Sequence, residues 1–449
     1  MSNSCETGFR HAKFANPLIA SLAADVQPLK TPRTLSPAAA LALLKPGMRV
    51  FVHAGPSECM TFVEALKADP ERARGVEFVG VFIPGLNTTD YSALAPDARI
   101  ASTFVSPPFA EAFSSGRLRY LPKAYSGFAA TLARMQIDIA ILRVSPPGPD
   151  GRMSYGLNQD YAPIAAATAR RVIAFVDQNM PYVTGEPGLR AKDCDAIVEI
   201  DEPLRPFPAA TASGALEKVG INAAQLIRDG DTIQIGIGKV QSAVLANLFD
   251  RKHLGLHSGM IDDAIAALMD KGVLDNSAKS ADRGVGVTGM AIGTQATWAC
   301  AQRPDMRFRS ANYTHSASVI AAQDNFVAIN SAIEVDLLGQ CNAEMLGGRQ
   351  ISGAGGFHDF QRGAAGSNGG RAIVALPSSA GGASRIVARL PAGVATGPRN
   401  DADYIVTEYG MAALRDLDLD RRAEALIMVA APQFRSELTD AWKDLRAKF

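Results

Sequence analysis

The chain has 449 residues, 47% of them hydrophobic and 20% charged, with 40 glycines. This is the composition of a globular α/β protein with many tight turns, and it excludes a disordered or fibrous one. Lys plus Arg and Asp plus Glu balance at 45 each with no dense basic run, which argues against nucleic acid or an anionic membrane as the main partner. Cys5, Cys59, Cys194, Cys300 and Cys341 are widely spaced, with no CxxC and no Cys/His ligand pattern. They are expected to be reduced thiols in a cytoplasmic, metal-free protein. Met1 to Lys30 lacks a signal-peptide pattern, and no apolar run approaches the ~20 residues that would cross a bilayer.

A chain of this length predicts two domains of about 200 residues each. Residues 1–33 are expected to form an irregular N-terminal arm. Ser36-Pro37 is a helix start, with a capping hydroxyl and proline at the first helical position, and Ala38 to Leu44 follow before Pro46-Gly47 ends the helix. Strands are expected at Val50–Val52, Val76–Phe82, Ile137–Arg143, Val172–Val176 and Ala196–Ile200, separated as in a mainly parallel sheet with crossovers. The run Glu202-Pro203-Leu204-Arg205-Pro206-Phe207-Pro208 cannot continue a helix or an inner strand. It sets the expected division into a domain of residues 34–208 and another of residues 209–449.

The second half restarts like the first. Gly47 to Gly55 followed by a helix through Phe62 and Leu66 can be laid against Gly230 to Gly238 followed by a helix through Val244 and Leu248, with Gly55 against Gly238. A duplicated α/β fold with a ligand cleft between the copies is the economical interpretation. In the second copy, Ile233, Ile235 and Ile237 alternate as in a buried strand. The turn Gln234-Ile235-Gly236-Ile237-Gly238 would let a ligand approach the backbone, and a helix from Ala243 could hold an anion on its first amides.

Further on, Glu334 and Asp336 stand two apart on an expected strand, so both face the same way and one could be a base; a purely structural role is the alternative. Gly353, Gly355 and Gly356 remove Cβ atoms where a substrate could lie on the backbone and free amides could face a developing oxyanion. Tight turns alone are the other explanation of such a loop. His257, His315 and His358 occur singly, and a lone histidine is more often structural than catalytic; His315 has a modest extra claim from its nearness to Asn312.

Several ordered segments carry a resemblance. They are Leu254-Gly255-Leu256-His257-Ser258-Gly259-Met260-Ile261-Asp262-Asp263, Asn330-Ser331-Ala332-Ile333-Glu334-Val335-Asp336-Leu337 with Gly339-Gln340, and Ser352-Gly353-Ala354-Gly355-Gly356 with Asp359-Phe360. Gly366 to Arg371 and Val406-Thr407-Glu408-Tyr409-Gly410 follow, and weaker matches lie at Asp138 to Gly156 and Asn179 to Gly185. Together they resemble the acetyl-CoA hydrolase/transferase family, which includes acetate, butyrate, succinate and 4-hydroxybutyrate CoA-transferases.

The resemblance implies a cytoplasmic, metal-free homodimer of CoA-transferase-like domains that takes acyl-CoA and a small carboxylic acid as substrates. It places Gln234, Ile235, Gly236, Ile237, Gly238, Asn312, Asn330, Gly353, Gly355 and Gly356 against CoA or the acyl group, and Arg371 where a lysine usually serves the nucleotide. It also implies a glutamate nucleophile that becomes a CoA thioester, at the position occupied here by Gly259. Three expectations follow. Water or an acceptor fills the vacated space with Glu334, Asp262 or Asp263 as base; Glu334, or next Asp262, reaches in as a substitute nucleophile; or the protein is a non-catalytic acyl-CoA binder or partner subunit.

Overall fold

The computed structural model describes residues 32–209 and 211–449. The expected arm of residues 1–33 therefore lies outside the described residues except at its end, where Arg33 opens the first strand. Ser36 caps the first helix, Pro37–Leu41, as its sequence suggests: its Oγ accepts from the Ala39 amide at 3.2 Å.

The first half forms an eight-stranded sheet: β1 (Arg33–Thr34), β2 (Arg49–Val52), β3 (Glu77–Val79), β4 (Arg99–Ser102), β5 (Leu118–Tyr120), β6 (Ile139–Val144), β7 (Arg171–Asp177) and β8 (Ala196–Ile200). Its order is β1-β8-β7-β6-β2-β3-β4-β5, and every pairing is parallel. The inner strands β6 and β7 are near-continuous apolar runs because helices cover both faces of such a sheet. Strands β4 and β5, with sequences RIAS and LRY, were not expected, since neither carries an apolar run of strand length.

The second half repeats this winding. Thr232–Gln234 is flanked on one side by Gly255–Leu256; a bridge from His257 to Val287 leads to Gly286–Thr288, which pairs with Met306–Phe308. On its other side lie Phe326–Ser331, then Arg371–Ala375, then Tyr404–Thr407. This is the order found outward from β2: β3, β4 and β5 on one side, β6, β7 and β8 on the other. Only the last strand departs, Gly410–Ala413 returning antiparallel. The molecule is thus α/β, with two similar domains.

The equivalent glycine turns differ. In the first half the Gly55 amide donates to Asn87 Oδ1 at 2.9 Å, Asn87 Nδ2 returns a bond to the Gly55 carbonyl at 3.2 Å, and Asn158 Nδ2 bonds the Ala54 carbonyl at 2.9 Å. In the second half the strand stops at Gln234, earlier than the isoleucine alternation suggests, because the glycines turn the chain away: Gly238 sits at φ 135° and Ile237 is 39% exposed. The following helix starts at Lys239, not at Ala243.

The halves are joined by main-chain bonds and shared cores. The Gln159 amide bonds the Gly289 carbonyl, Ala291 bonds Leu157, and Ala311 bonds Asp160, at 2.8 to 2.9 Å. Met260, Met290, Ile292 and Ala311 pack into the first half's apolar core, while Leu157, Met180 and Val183 pack into the second's. At this seam Asp160 is buried: Oδ2 accepts from the Tyr125 hydroxyl at 2.5 Å and Oδ1 has no partner. Burial pushes its carboxyl up to about 7. From about pH 4 to about 7 the folded chain therefore keeps a proton that the unfolded chain has released, and this group's contribution to stability falls as pH rises through that window. Asp160→Asn removes that slope. Urea unfolding at stepped pH should show the variant's stability relative to the parent rising from pH 4 to pH 7; a constant difference would contradict the assignment.

Candidate functional site

A cleft of about 310 Å³ opens between the halves. The first half supplies Ile83, Pro84, Phe104 and Tyr125; the second supplies the turn Gln234 to Ile237, Gln241, Gly259, Asn330, the loop Ser352 to Gly356, and His315 beside Phe360. No Asp, Glu, Lys or Arg is among the described residues that line it. Its polarity comes from amides, hydroxyls and one imidazole.

Two anchors shape the walls. Ser258 pins the 234–238 turn to the chain before Gly259: the Ile235 amide donates to Ser258 Oγ at 3.2 Å, and that hydroxyl donates to the Ile235 carbonyl at 3.1 Å. The glycine loop is held against the first half by the Tyr125 amide on the Gly355 carbonyl at 3.0 Å, and by Asp359, which accepts from the amide and hydroxyl of Ser126 at 2.9 and 2.6 Å. A methyl group on Gly353 would lie 1.9 Å from the Thr103 carbonyl oxygen, so this glycine is demanded by the seam itself. Gly356 is demanded by His315, whose Nε2 would lie 2.7 Å from such a methyl. The amides of residues 353 to 356 make no hydrogen bond to the described residues, which leaves them available to a ligand.

Of the residues expected at the site, Gln234, Ile235, Gly236, Ile237, Gly259, Asn330, Gly353, Gly355 and Gly356 line the cleft. Asn330 Nδ2 is buried without a partner, as is Gln241 Oε1. Such atoms are rare in folded proteins and cost stability unless something binds them. Gly238 sits just past the lining, at the start of its helix.

The other expected residues lie elsewhere. Asp262 caps the helix Asp263–Asp270, its Oδ1 accepting from the Ala264 and Ile265 amides at 3.1 Å. Asp263 accepts from Thr294 and Thr297. Glu334 accepts from Asn342 Nδ2 at 3.3 Å with Arg385 at 3.7 Å, and Asp336 closes a turn onto Leu338 and Gln340. None of these four carboxylates is among the described residues that line the cleft, where Glu334 and Asp262 were expected. Asn312 is exposed away from it. Arg371 is buried and pairs with Asp231 through Nη2, while its Nε and Nη1 have no partner among the described residues.

Tyr125, Phe104 and Phe360 were not singled out by sequence for the cleft, and His315 only by its nearness to Asn312. His315 is buried between the rings of Tyr125 and Phe360, with centroids at 4.3 and 4.7 Å, and burial pushes it down to about 3. His257 differs: its Nε2 is already bonded to the Thr314 carbonyl at 3.0 Å. Among the described residues no group of three or more His, Cys, Asp or Glu is arranged to hold a metal, and no helix is long and apolar enough to cross a membrane.

Residues 30–207 match the acetyl-CoA hydrolase/transferase N-terminal domain, and residues 293–442 match the C-terminal domain of the same name. The chain belongs to the acetyl-CoA hydrolase/transferase family. Among similar proteins, the 4-hydroxybutyrate coenzyme A transferase of Clostridium kluyveri is 38% identical over 88% of this chain and 93% of its own length. The succinyl-CoA:cyclohexane-1-carboxylate CoA transferase of Geobacter metallireducens is 34% identical over 91% of this chain and 94% of its own. The crystal structure of RipA from Yersinia pestis superposes with a TM-score of 0.86 at 32% identity, covering 95% of this chain and 99% of RipA. Members of this family use CoA thioesters as substrates, and the cleft described above lies where their two domains meet in this chain.

The space beside Gly259 is contested. A methyl group there would lie 2.8 Å from His315 Cε1 and 2.9 Å from Nε2, and the imidazole cannot swing aside between its two aromatic neighbours. Gly259→Glu alone should cost about 1–3 kcal/mol through overpacking. Combined with His315→Ala, the loss should be smaller than the sum of the two single losses, as read from urea unfolding of the full double-mutant cycle. Additive losses would show that the two positions do not share this space.

Proposed function

We propose that the cleft holds a short-chain acyl-CoA and releases its CoA to water, without an enzyme-bound acyl or CoA intermediate. The observation that carries this is the lining itself, which contains no carboxylate and has a glycine where the resemblance expects the glutamate nucleophile. A covalent relay needs a carboxylate within bonding distance of the thioester carbon. What the cleft offers instead are neutral donors. Asn330 Nδ2 and the free amides of the glycine loop can donate hydrogen bonds to a carbonyl oxygen as it gains charge.

On this reading the main-chain wall grips the thioester, and the carboxylates once expected to act keep their structural bonds. Lys239, exposed beside Gly238, is a local cation suited to CoA phosphate at the edge of that wall. The protein is taken as a cytoplasmic homodimer, on the resemblance and on the reduced state expected of its cysteines. A non-catalytic acyl-CoA binder is the second reading, supported by the same lack of charge in the lining.

Acetyl-CoA or succinyl-CoA supplied with and without a carboxylate acceptor separates these. Free thiol should appear without acceptor, no new thioester should form, and borohydride should not inactivate the acyl-CoA-treated protein. A new acyl-CoA formed only with acceptor would establish transfer instead, and affinity without turnover would establish the binder.

A further inference from the structure

Among the described residues of the cleft wall, His315 and the Tyr125 phenol are the titratable side chains, and that phenol is committed to Asp160. The imidazole follows the short helix Ala311–Thr314. Its ring packs against those of Tyr125 and Phe360, with centroids at 4.3 and 4.7 Å. One edge is tied down: Nδ1 lies 2.9 Å from Thr314 Oγ1, and that hydroxyl lies 3.3 Å from the Ser310 carbonyl. A hydroxyl has one proton, and the carbonyl can only accept. In the tautomer in which Thr314 donates to Ser310 and accepts from Nδ1–H, the lone pair is on Nε2.

The other edge faces the cleft. Nε2 makes no hydrogen bond to the described residues, and it points between Gly259 and Gly356, lying 2.9 and 2.7 Å from where their Cβ atoms would be. Both are lining residues, and both lack the side chain that would cover this nitrogen.

We infer that His315 Nε2 is the base that takes a proton from the water attacking the thioester. This rests on the hydrolytic reading above. The water oxygen bonds to the carbonyl carbon as its proton passes to Nε2, and the carbonyl electron pair moves onto oxygen, facing Asn330 and the loop amides. On collapse the C–S bond breaks, its electron pair leaves with sulfur, and Nε2–H returns the proton to it. One water is consumed, and one carboxylic acid and one free thiol are formed. Burial keeps the ring neutral at working pH, so the lone pair is present before reaction. The positive charge it gains is matched by the oxyanion forming in the same cleft.

The test compares the parent chain with His315→Asn, which keeps a polar atom toward Thr314 and loses the Nε2 position, and with His315→Ala assayed with and without free imidazole. Thiol release from acetyl-CoA by the parent decides the hydrolytic reading, and the variants decide the role of His315. His315→Asn should lower kcat by about 100-fold or more with CoA affinity by calorimetry unchanged, and imidazole should restore His315→Ala saturably. Variants that hydrolyse at the parent rate, or that fold and bind CoA yet lose activity with no imidazole rescue, overturn the role of His315 alone. A parent that binds CoA and releases no thiol overturns both.

Discussion

The cleft depends on how closely two main chains approach. At Gly353 the second half lies so near the Thr103 carbonyl that no Cβ fits between them, and the Tyr125–Gly355 and Ser126–Asp359 bonds lock that contact on either side. Because this loop is bonded to the other half, its amides are held at a fixed height above the 234–238 turn. Close-packed interiors transmit such constraints without much give. The shape of the site is therefore set by the joint between the halves as much as by either half.

That joint also decides the chemistry available. Each carboxylate near the cleft in sequence is used for structure: Asp262 on a helix end, Asp263 on two threonines, Asp336 on a turn and Glu334 on Asn342. What remains are neutral groups whose hydrogen-bonding capacity is only partly used. Preorganised dipoles of this kind are strongest where water is excluded, and the apolar wall of Ile83, Phe104 and Met290 provides that surrounding.

Much of the fold was legible because it is local. Val50–Val52 and Ala196–Ile200 stand out as apolar runs, and Ser36-Pro37 declares a helix start within a few residues. The turn at Gly236 to Gly238 and the loop at Gly353 to Gly356 were visible as special places. The reasons for their glycines were not, since the Thr103 carbonyl and the His315 ring that forbid side chains are distant in sequence. His315 gave only a weak signal, its nearness to Asn312, as its neighbours Tyr125 and Phe360 come from other parts of the chain. Asp262 misled for the opposite reason: it stands beside the turn in sequence, yet a capping position turns its oxygen back onto its own helix.

The repeated winding gives the chain two turns of the same kind, and their fates have diverged. Around Gly55 the asparagines Asn87 and Asn158 bond the main chain of the turn, and the buried hydroxyl of Ser57 beside it has no partner. Around Gly238 the corresponding capacity is left open, with Asn330 and Gln241 each holding an unmatched atom. A symmetric architecture thereby carries two unlike corners: one is tied down by asparagines of its own half, and the other borders the cleft.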